Sequence, residues 1–374
     1  MKKVLILYGS YGGGHLSAAK SISSYIQNNF DNVEVSMVDC IEYINKYINK
    51  VTTGAYKELA KKAPWAWKQL YEDSKDGALA KISTTSNKVM AYKLFSFIEA
   101  FNPELIISTH PFSTQMCGYL KKKNKLNCKV ATILTDYKMH EQWLEFSDYL
   151  EYFFVSNEQM RTDMIKKGVA AEKIQVTGIP VSEKFLKAYN REEVCKLFDL
   201  NPNNEIVLFF AGGEFGLGRN TTIIMLKALI RLFSKLQVVA ISGKNKKMNE
   251  KFKTLVANTE SSERIKIIEF TDKVPELMSV SKFVITKPGG LTITESLSSH
   301  LPIIIINPIP GQEEENATFI EENGAGIWIK KHDNIARHLK NLYRHPESLQ
   351  DMKKACEILA KPNSTKEICD YLLK

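Results

Sequence analysis

Short apolar segments rich in β-branched residues alternate with longer helical patterns throughout this chain of 374 residues. Most of these segments are apolar without interruption, as expected for parallel strands that are buried on both faces of a sheet. Strand–helix–strand units of this kind build layered α/β domains with right-handed crossovers. The predicted strands are Val4–Tyr8, Val33–Val38, Leu105–Ser108, Val130–Leu134, Tyr152–Val155, Ile174–Val176, Ile206–Phe210, Gln237–Ile241, Ile265–Glu269, Phe283–Thr286, Ile303–Ile306 and Gly326–Ile329.

The strands fall into two series, and each series begins with a strand that leads into a glycine-rich loop. A chain of this length is too long for one ordinary hydrophobic core, so two domains are expected. The sequence therefore predicts an α/β protein with two doubly wound Rossmann-like domains, residues 1–185 and 186–374, that face a central cleft. The last helices, at about 333–374, are amphipathic and rich in lysine, and the final one could pack back on the first domain.

Residues 40–100 interrupt the regular alternation with a long, largely helical insertion. Its aromatic residues, among them Trp65 and Trp67, stand among lysines, and Lys46–Lys93 contains ten lysines against four acids. Tryptophan and tyrosine favour the headgroup region of a bilayer, and lysine is attracted to anionic lipids. The pattern fits either a membrane-facing surface or a solvated helical face whose aromatic residues belong to the core.

Composition and charge narrow the functional classes. Hydrophobic residues make up 44% of the chain and charged residues 25%, which excludes a disordered chain. No apolar run reaches the roughly 18 residues that span a bilayer, and the short apolar start reads as a strand rather than a signal peptide, so a cytosolic protein is expected. The six scattered cysteines favour reduced thiols. The net charge of +9 favours an anionic partner, which could be nucleic acid, a nucleotide sugar or an anionic membrane.

The segment Lys287–Glu295 joins a buried strand to a glycine turn and then to the start of a helix. Paired glycines let the backbone approach a phosphate closely, and a helix N-terminus offers free N–H groups and partial positive charge. A carboxylate just inside the helix could accept hydrogen bonds from a ribose diol. The pattern predicts a nucleotide-diphosphate site, with Lys287, Gly289, Gly290, Leu291, Thr292 and Glu295 as its residues.

Two further segments are predicted to extend this donor site. A glycine loop after the strand Ile206–Phe210 suits a pyrophosphate, although a loop of this kind can also be an ordinary flexible turn. A polar segment after the strand Ile303–Ile306 could bond the hydroxyls of a sugar, or could be a solvated acidic helix start. The residues concerned are Gly212, Gly213, Phe215 and Gly216 in the loop, and Gln312, Glu313 and Asn316 in the polar segment.

The first glycine loop, Gly9–His15, lies between the first strand and a helix that starts at about Leu16. It matches neither the dinucleotide fingerprint nor the Walker motif, which weakens the case for dinucleotide binding and ATP hydrolysis. His15 stands at the helix N-terminus, where the partial positive charge keeps an imidazole neutral, as a general base requires. It could equally cap the helix or bond a phosphate. Gly13 and Gly14 would let the backbone pass close to a ligand.

Other polar side chains follow strands of the first half. Asp136 comes directly after a buried strand, where open α/β sheets bind ligands. It could orient His15, take a proton from an acceptor, or merely cap a turn. His110 and His140 lie at a strand end and in the loop after Asp136, and both could shape an acceptor pocket. No ligand spacing supports a three-histidine metal site, and no Asp-x-Asp occurs, so backbone N–H groups and a helix dipole would neutralise a leaving group.

These segments together resemble the two-Rossmann-domain (GT-B) glycosyltransferases. More closely, the chain is similar to the family of monogalactosyldiacylglycerol synthases and processive diacylglycerol glucosyltransferases. Leu16 departs from the family pattern, in which an arginine is frequent at this position. The resemblance covers nearly the whole chain through Tyr11–Ala19, Ser108–Phe112, Thr135–Trp143, Val176–Val181, Gly212–Gly218, Lys287–Glu295 and Gly311–Asn316.

The resemblance implies an inverting transfer of glucose or galactose from a UDP-sugar to diacylglycerol at the cytoplasmic face of the membrane. The UDP-sugar is a co-substrate, and neither a cofactor nor a metal is expected. The resemblance assigns Glu295 to the ribose, Gln312 and Glu313 to the donor sugar, and the glycine loops to the diphosphate. It places His15 near the reacting centre, so that His15 or Asp136 would remove the acceptor proton. It also favours the membrane interpretation of residues 50–95.

Two alternatives keep the same fold. One is the transfer of N-acetylglucosamine to a lipid-linked cell-wall precursor, and the other is a UDP-sugar 2-epimerase, which needs no lipid. A basic nucleic-acid-binding protein would bind DNA or RNA in a salt-sensitive manner. Nothing in the sequence resembles a nucleic-acid-binding module, so this last class is disfavoured.

Overall fold

The computed structural model describes residues 1–10, 13–45, 78–212, 219–232, 236–243, 246–257, 259 and 262–374. The chain divides into two compact units. The first unit consists of residues 1–182, 310–312 and 361–374, and the second of residues 183–309 and 313–360. Trp65 and Trp67, with the rest of residues 46–77 of the predicted insertion, lie outside the described residues.

A parallel six-stranded sheet forms the centre of the first unit, in the order β2-β1-β3-β4-β5-β6. Its strands are β1 Lys2–Tyr8, β2 Val33–Asp39, β3 Leu105–Ser108, β4 Lys129–Ile133, β5 Tyr152–Val155 and β6 Ile174–Val176. The helices described around it are α1 Gly14–Asn29, α2 Cys40–Asn45, α3 Ala78–Phe101, α4 Pro111–Lys122 and α5 Glu158–Lys166, together with the last helix of the chain, Ser364–Leu373.

The strand β1 is buried on both faces, as its uninterrupted apolar sequence predicts. Val4 and Ile6 pack in one cluster with α1 and the last helix, whereas Leu5 and Leu7 pack in a second cluster with α2, α3 and α4. Consecutive side chains of a strand point to opposite faces of the sheet, so each layer of helices receives half of the strand. The last helix thus belongs to the core of the first unit.

The second unit has its own parallel sheet, in the order β12-β11-β10-β7-β8-β9. Its strands are β7 Ile206–Phe210, β8 Gln237–Ile241, β9 Ile265–Ile268, β10 Phe283–Thr286, β11 Ile303–Ile306 and β12 Gly326–Ile329. The remaining helices are α6 Arg191–Leu197, α7 Arg219–Leu232, α8 Lys246–Ala257, α9 Val274–Val280, α10 Gly290–Ser298, α11 Gln312–Glu322, α12 Ile335–Arg344 and α13 Pro346–Leu359, and the last helix of the chain is α14, Ser364–Leu373.

Each of the predicted strands is present, with bounds that differ from the prediction by at most two residues. The two Rossmann-like sheets are therefore confirmed. Each sheet has a switch point, because β1 lies between β2 and β3, and β7 lies between β8 and β10. Open α/β sheets bind ligands at such points, beyond the carboxyl ends of the strands. No helix within the described ranges combines the length and the apolarity needed to cross a bilayer.

Candidate active site

The switch point of the first unit brings His15 against the ends of β3 and β4. His15 is the second residue of α1, and its Nδ1 lies 2.6 Å from the carbonyl oxygen of Thr109. The hydroxyl of Thr135, two residues beyond β4, lies 3.0 Å from the same nitrogen. The Thr109 hydroxyl donates in turn to the His15 carbonyl oxygen at 3.0 Å. The ring is therefore held by groups about a hundred residues away in sequence.

These contacts decide which ring nitrogen of His15 can accept a proton. A backbone carbonyl only accepts hydrogen bonds, so Nδ1 carries the hydrogen and Nε2 keeps its lone pair. Burial lowers the pKa of His15 to about 4, against the opposing effect of the Thr109 carbonyl, which favours the charged ring. The position at the start of a helix also disfavours a positive charge. His15 is thus a neutral imidazole with a free basic nitrogen.

His110 and His140 both accept hydrogen bonds from backbone N–H groups. His110 Nδ1 accepts from Phe112 at the start of α4 at 3.1 Å, and His140 Nδ1 accepts from Gln142 at 3.2 Å. Both residues are buried, and the His110 ring lies edge-on to the His15 ring with centroids 4.5 Å apart. Burial, and to a lesser degree His15, hold the pKa of His110 well below its usual value. His110 therefore packs a second neutral ring edge-on against the candidate base, and the acceptor-pocket role of both histidines stays a prediction.

Asp136 is buried at the same edge of the sheet, one residue after Thr135. Its carboxylate accepts a hydrogen bond from the side-chain amide of Gln312, whose short segment 310–312 groups with the first unit. Asp136 had been a candidate to orient His15, but the described hydrogen bonds of that ring go to Thr109 and Thr135. Sequence reasoning missed both threonines, although each stands at a strand end beside a predicted site residue.

The start of α1 has no described neighbour in front of it. Gly13 is the N-cap of the helix without a side-chain cap, and among the described residues a Cβ at this position would meet no atom within 4 Å. The first intrahelical bond runs from the N–H of Ser17 to the Gly13 carbonyl, so the N–H groups of Gly14, His15 and Leu16 have no acceptor within the helix. Within the described part of the chain, no packing demand thus explains Gly13, and the described atoms leave the helix start accessible to a ligand.

In the second unit, the loop between β10 and α10 lies at the switch point. Gly289 is the N-cap of α10 with φ −66° and ψ 139°, and no side chain caps the helix. The first intrahelical bond joins the N–H of Ile293 to the Gly289 carbonyl at 3.0 Å, so the N–H groups of Gly290, Leu291 and Thr292 have no acceptor within the helix. Among the atoms of the described residues, a Cβ on Gly289 would meet Glu313 Oε1, at 3.9 Å. The helix start is thus shaped to receive an anion.

Lys287 and Glu313, two predicted donor-site residues, are paired with each other. Lys287 Nζ lies 2.9 Å from Glu313 Oε1, and the other carboxylate oxygen accepts from the N–H of Ile309 at 2.8 Å. Both side chains are largely buried, at 20% and 14% exposure. Asn316, fully buried in α11, donates to the carbonyl oxygen of Pro288 at 3.1 Å. These bonds fix the loop before α10 on the start of α11, and the predicted sugar contacts of Glu313 and Asn316 stay predictions.

Glu295 lies in the middle of α10. Although part of the residue reaches the surface, burial of its carboxyl raises the pKa to about 8. A carboxylate that is dehydrated without a compensating charge is costly, and such groups are frequent at functional sites. A pair of ribose hydroxyls would supply the hydrogen bonds that stabilise its charged form.

Gly212 is explained by the packing of two strands. A Cβ on Gly212 would lie 1.8 Å from the carbonyl oxygen of Ser242, so the backbone after β7 passes too close to the end of β8 for any other residue. This close packing is enough to explain the glycine at position 212. A diphosphate contact there stays a prediction. Gly213, Phe215 and Gly216 lie outside the described residues. Among the side chains that the structure describes, no group of three His, Cys, Asp or Glu residues is arranged to hold a metal ion.

Two family profiles match successive parts of the chain. The profile of the monogalactosyldiacylglycerol (MGDG) synthase family matches residues 15–181, and that of the glycosyltransferase family 28 C-terminal domain matches residues 207–368. A processive diacylglycerol beta-glucosyltransferase from Staphylococcus epidermidis is 30% identical over 373 residues, which cover 100% of this chain and 92% of the relative.

Solved structures share the fold. The UDP-GlcNAc 2-epimerase from Neisseria meningitidis superposes with a TM-score of 0.67 at 16% identity, and MurG from Acinetobacter baumannii with a TM-score of 0.64 at 13% identity. Each comparison covers 99% of both chains. At these identities the likeness shows only the fold, that of the GT-B enzymes. The identity to the staphylococcal enzyme and the two family profiles show more than the fold. The chain belongs to the family of monogalactosyldiacylglycerol synthases and processive diacylglycerol glucosyltransferases, and it is a UDP-sugar-dependent glycosyltransferase.

Proposed function

We propose that the chain transfers a hexose from a UDP-sugar to the hydroxyl of diacylglycerol with inversion at the anomeric carbon, and so makes a membrane glycolipid. The observation that carries this proposal is His15, whose Nδ1 is bound to the Thr109 carbonyl while Nε2 keeps its lone pair. A single inverting displacement needs one base for the acceptor and a stabilised leaving group. The name of the staphylococcal relative, a diacylglycerol beta-glucosyltransferase, favours diacylglycerol as acceptor and glucose as the hexose.

The transfer is a balanced single displacement. The acceptor oxygen attacks the anomeric carbon of the sugar while its proton passes to His15 Nε2. The bond from that carbon to the β-phosphate oxygen breaks, and its electron pair leaves with UDP. Lys287 and the free N–H groups at the start of α10 are the groups that would stabilise the developing charge. Asp136 is the second candidate for the base.

His15→Ala tests the base directly. Loss of a general base is expected to lower kcat by about 10²–10⁴-fold while the Kd for UDP stays unchanged. The assay is UDP release with a panel of UDP-sugars, with and without diacylglycerol, and Asp136→Asn is the matched comparison. Loss of turnover in Asp136→Asn but not in His15→Ala would move the base to Asp136. Full turnover in both variants, a retained anomeric configuration, or release with UDP-N-acetylglucosamine that ignores diacylglycerol would contradict the proposal.

We further propose that the reaction needs no divalent metal. Lys287 and the N–H groups of Gly290, Leu291 and Thr292 supply positive charge where the diphosphate is predicted to lie. UDP release is therefore expected to survive excess EDTA, whereas Lys287→Met should lower it. Loss of turnover with EDTA and its recovery with Mg²⁺ would overturn this part of the proposal.

We place the enzyme at the cytoplasmic face of the cell membrane as a peripheral protein that binds an anionic surface. The proposed acceptor is a membrane lipid, and the net charge of +9 favours attraction to anionic lipids. Flotation of the protein with anionic vesicles, but not with neutral ones, is the expected result. Equal flotation with both would remove the electrostatic part of this proposal.

A further inference from the structure

The second unit contains a groove at the carboxyl ends of β11 and β12, beside α7. Its open cavity has a volume of about 470 Å³. Its floor is apolar and consists of the buried side chains Ala228, Ile306, Ile329 and Ile335. Ile224 extends this apolar surface at the rim, where the residue is 53% exposed. None of these residues is among those of the candidate donor site, which follow β7, β10 and β11.

The rim of the groove is basic. Lys227 and Arg231 of α7 line one side, and Lys330 and Lys331 after β12 line the other. The acidic residue of the lining, Asp333, accepts a hydrogen bond from the N–H of Lys330 at 2.9 Å and lies 3.4 Å from His338 Nε2. The Asp333 carboxylate therefore already contacts the Lys330 N–H and the His338 ring. Within the described part of the chain, Lys227, Arg231 and Lys331 form no ion pair.

An apolar floor beneath a cationic rim suits one chemical class of ligand. A free phosphate would gain nothing from the isoleucines of the floor, because it has no apolar surface to bury. Single-stranded nucleic acid is bound by aromatic side chains on which the bases stack, and the lining residues that the structure describes include none. An anionic phospholipid matches both features, because its phosphate can lie among the cations while the first carbons of its chains cover the apolar floor.

We propose that this groove binds an anionic phospholipid and gives the second unit its own contact with the membrane. The inference rests on the proposed function, since it assumes that the acceptor is a membrane lipid. It adds a lipid site on the unit that holds the nucleotide-sugar residues, outside the basic insertion of the first unit.

The test uses the full-length protein and a soluble probe. Dihexanoylphosphatidylglycerol is titrated below its critical micelle concentration and followed by calorimetry, with dihexanoylphosphatidylcholine as the zwitterionic counterpart. We expect binding of the anionic lipid only. The double variant Lys227→Glu/Arg231→Glu should weaken it on the order of tenfold or more, since each cation near an anionic lipid surface contributes measurably. Ile224→Ser, which keeps the charge, should weaken it by a smaller factor of about two to five.

The matched control is Lys247→Glu/Lys251→Glu, which reverses two exposed lysines on α8 of the same unit. Lipid binding equal to wild type in the groove variant, or an equal loss in the control, would overturn the proposal. Binding of inorganic phosphate as tight as that of the lipid would overturn it as well. UDP release with diacylglycerol in neutral detergent micelles should be the same in the groove variants as in the wild-type protein. This result would show that the variants are folded. A failure of the proposed function would instead abolish this release in the wild-type protein.

Discussion

His15 depends, as a base, on the groups that hold its other ring nitrogen. The Thr109 carbonyl fixes the proton on Nδ1, and the Thr135 hydroxyl lies 3.0 Å from that nitrogen. A main-chain carbonyl at position 109 is present whatever residue stands there, whereas the hydroxyl depends on Thr135. Mutation of Thr135 therefore changes the support of the ring without touching the proposed basic nitrogen.

Thr135→Val is expected to lower kcat about tenfold with little change in the KM for the UDP-sugar, because one hydrogen bond to the ring is lost. Thr135→Ser should restore most of the activity. Thr114→Val is the control, since it removes a buried hydroxyl that donates to Ser108 at 2.8 Å instead. The ¹⁵N chemical shifts of His15 report the tautomer independently of activity. A variant with unchanged shifts and unchanged kcat would show that Thr135 does not position the ring.

The pH profile tests the neutral state of His15. The pKa of the folded residue is lowered from 6.5 to about 4, so the base is protonated only as the pH falls toward 4. The value of kcat/KM should stay level from neutral pH down to about 5 and then decline. The unfolded chain takes up this proton near pH 6.5, so the same residue makes the fold less stable as the pH falls from 6.5 to 4. An acid limb centred near 6.5 would contradict the neutral, buried ring.

Glu295 is expected to cost stability in the free protein. Its pKa in the folded protein is about 8, above the usual 4.5, so the folded state holds this proton more tightly than the unfolded chain does. The free energy of unfolding therefore falls as the pH rises from 4.5 to 8. Glu295→Gln should therefore raise the free energy of unfolding at pH 9 by on the order of 2 kcal/mol and have no effect below pH 4.5. Urea unfolding at the two pH values measures this, with the exposed Glu322→Gln as control.

The same carboxyl should couple UDP binding to pH. Ribose hydroxyls donate to the charged form, so binding releases a proton, and the affinity for UDP should increase as the pH rises toward 8. Calorimetry in buffers of different ionisation enthalpy detects that proton. In Glu295→Gln both the proton release and the pH dependence should disappear. Their persistence in this variant would assign them to another group.

At the scale of secondary-structure elements, the donor site depends on how the loop before α10 is fixed. The Lys287–Glu313 pair joins the end of β10 to the first turn of α11. The Glu313 carboxylate that binds Lys287 also lies next to Gly289, the N-cap of α10. Lys287 thus has a structural partner in the free protein, and its predicted phosphate contact would add to that bond or replace it.

A double-mutant cycle separates these two roles of Lys287. Lys287→Met leaves the largely buried Glu313 without its cation and should lower the free energy of unfolding by about 1–3 kcal/mol. Lys287→Met/Glu313→Gln should recover most of that loss, as measured by urea unfolding. The Kd for UDP, in contrast, should remain raised in the double variant. Recovery of UDP binding together with stability would show that Lys287 acts only through Glu313.

The strands were predictable because each is a local pattern. Eleven of the twelve begin and end within one residue of the predicted bounds, and the β-branched runs that predict the central strands are buried on both faces. The site was only partly predictable. His15 and Glu295 could be read from the glycine turns that precede their helices, whereas the bonding of Lys287 to Glu313 depends on a contact across 26 residues.

At the scale of the whole molecule, the chain returns to its first unit after completing the second. Helix α14 packs Ile368 and Cys369 against Ile22 and Ile26 of α1. Ser364 and Thr365 donate to the carbonyl oxygens of Ile179 and Val181 at 2.8 and 2.7 Å. The last fourteen residues therefore complete the core on which α1 packs, the helix that carries His15.

Ile368→Ala is expected to destabilise the first unit by about 2–5 kcal/mol, because it opens a cavity at a fully buried position. Ile358→Ala is the matched control, since the same truncation at a residue that is 81% exposed should change stability little. Hydrogen exchange resolved by peptide should show the loss of protection in β1 and α1 rather than in β7 and α10. Equal effects of the two substitutions would contradict the packing of α14.

The sequence by itself determined the strands, the two glycine-initiated series and the residue types at their carboxyl ends, because these follow from local periodicity and turn chemistry. Only the tertiary structure decided the partners of these residues. The order β2-β1-β3-β4 brings Thr109 and Thr135 to His15, and close strand packing, not a ligand, accounts for Gly212. Hydrogen bonds and core contacts join residues that are distant in the chain, so they depend on strand order, which no local pattern specifies.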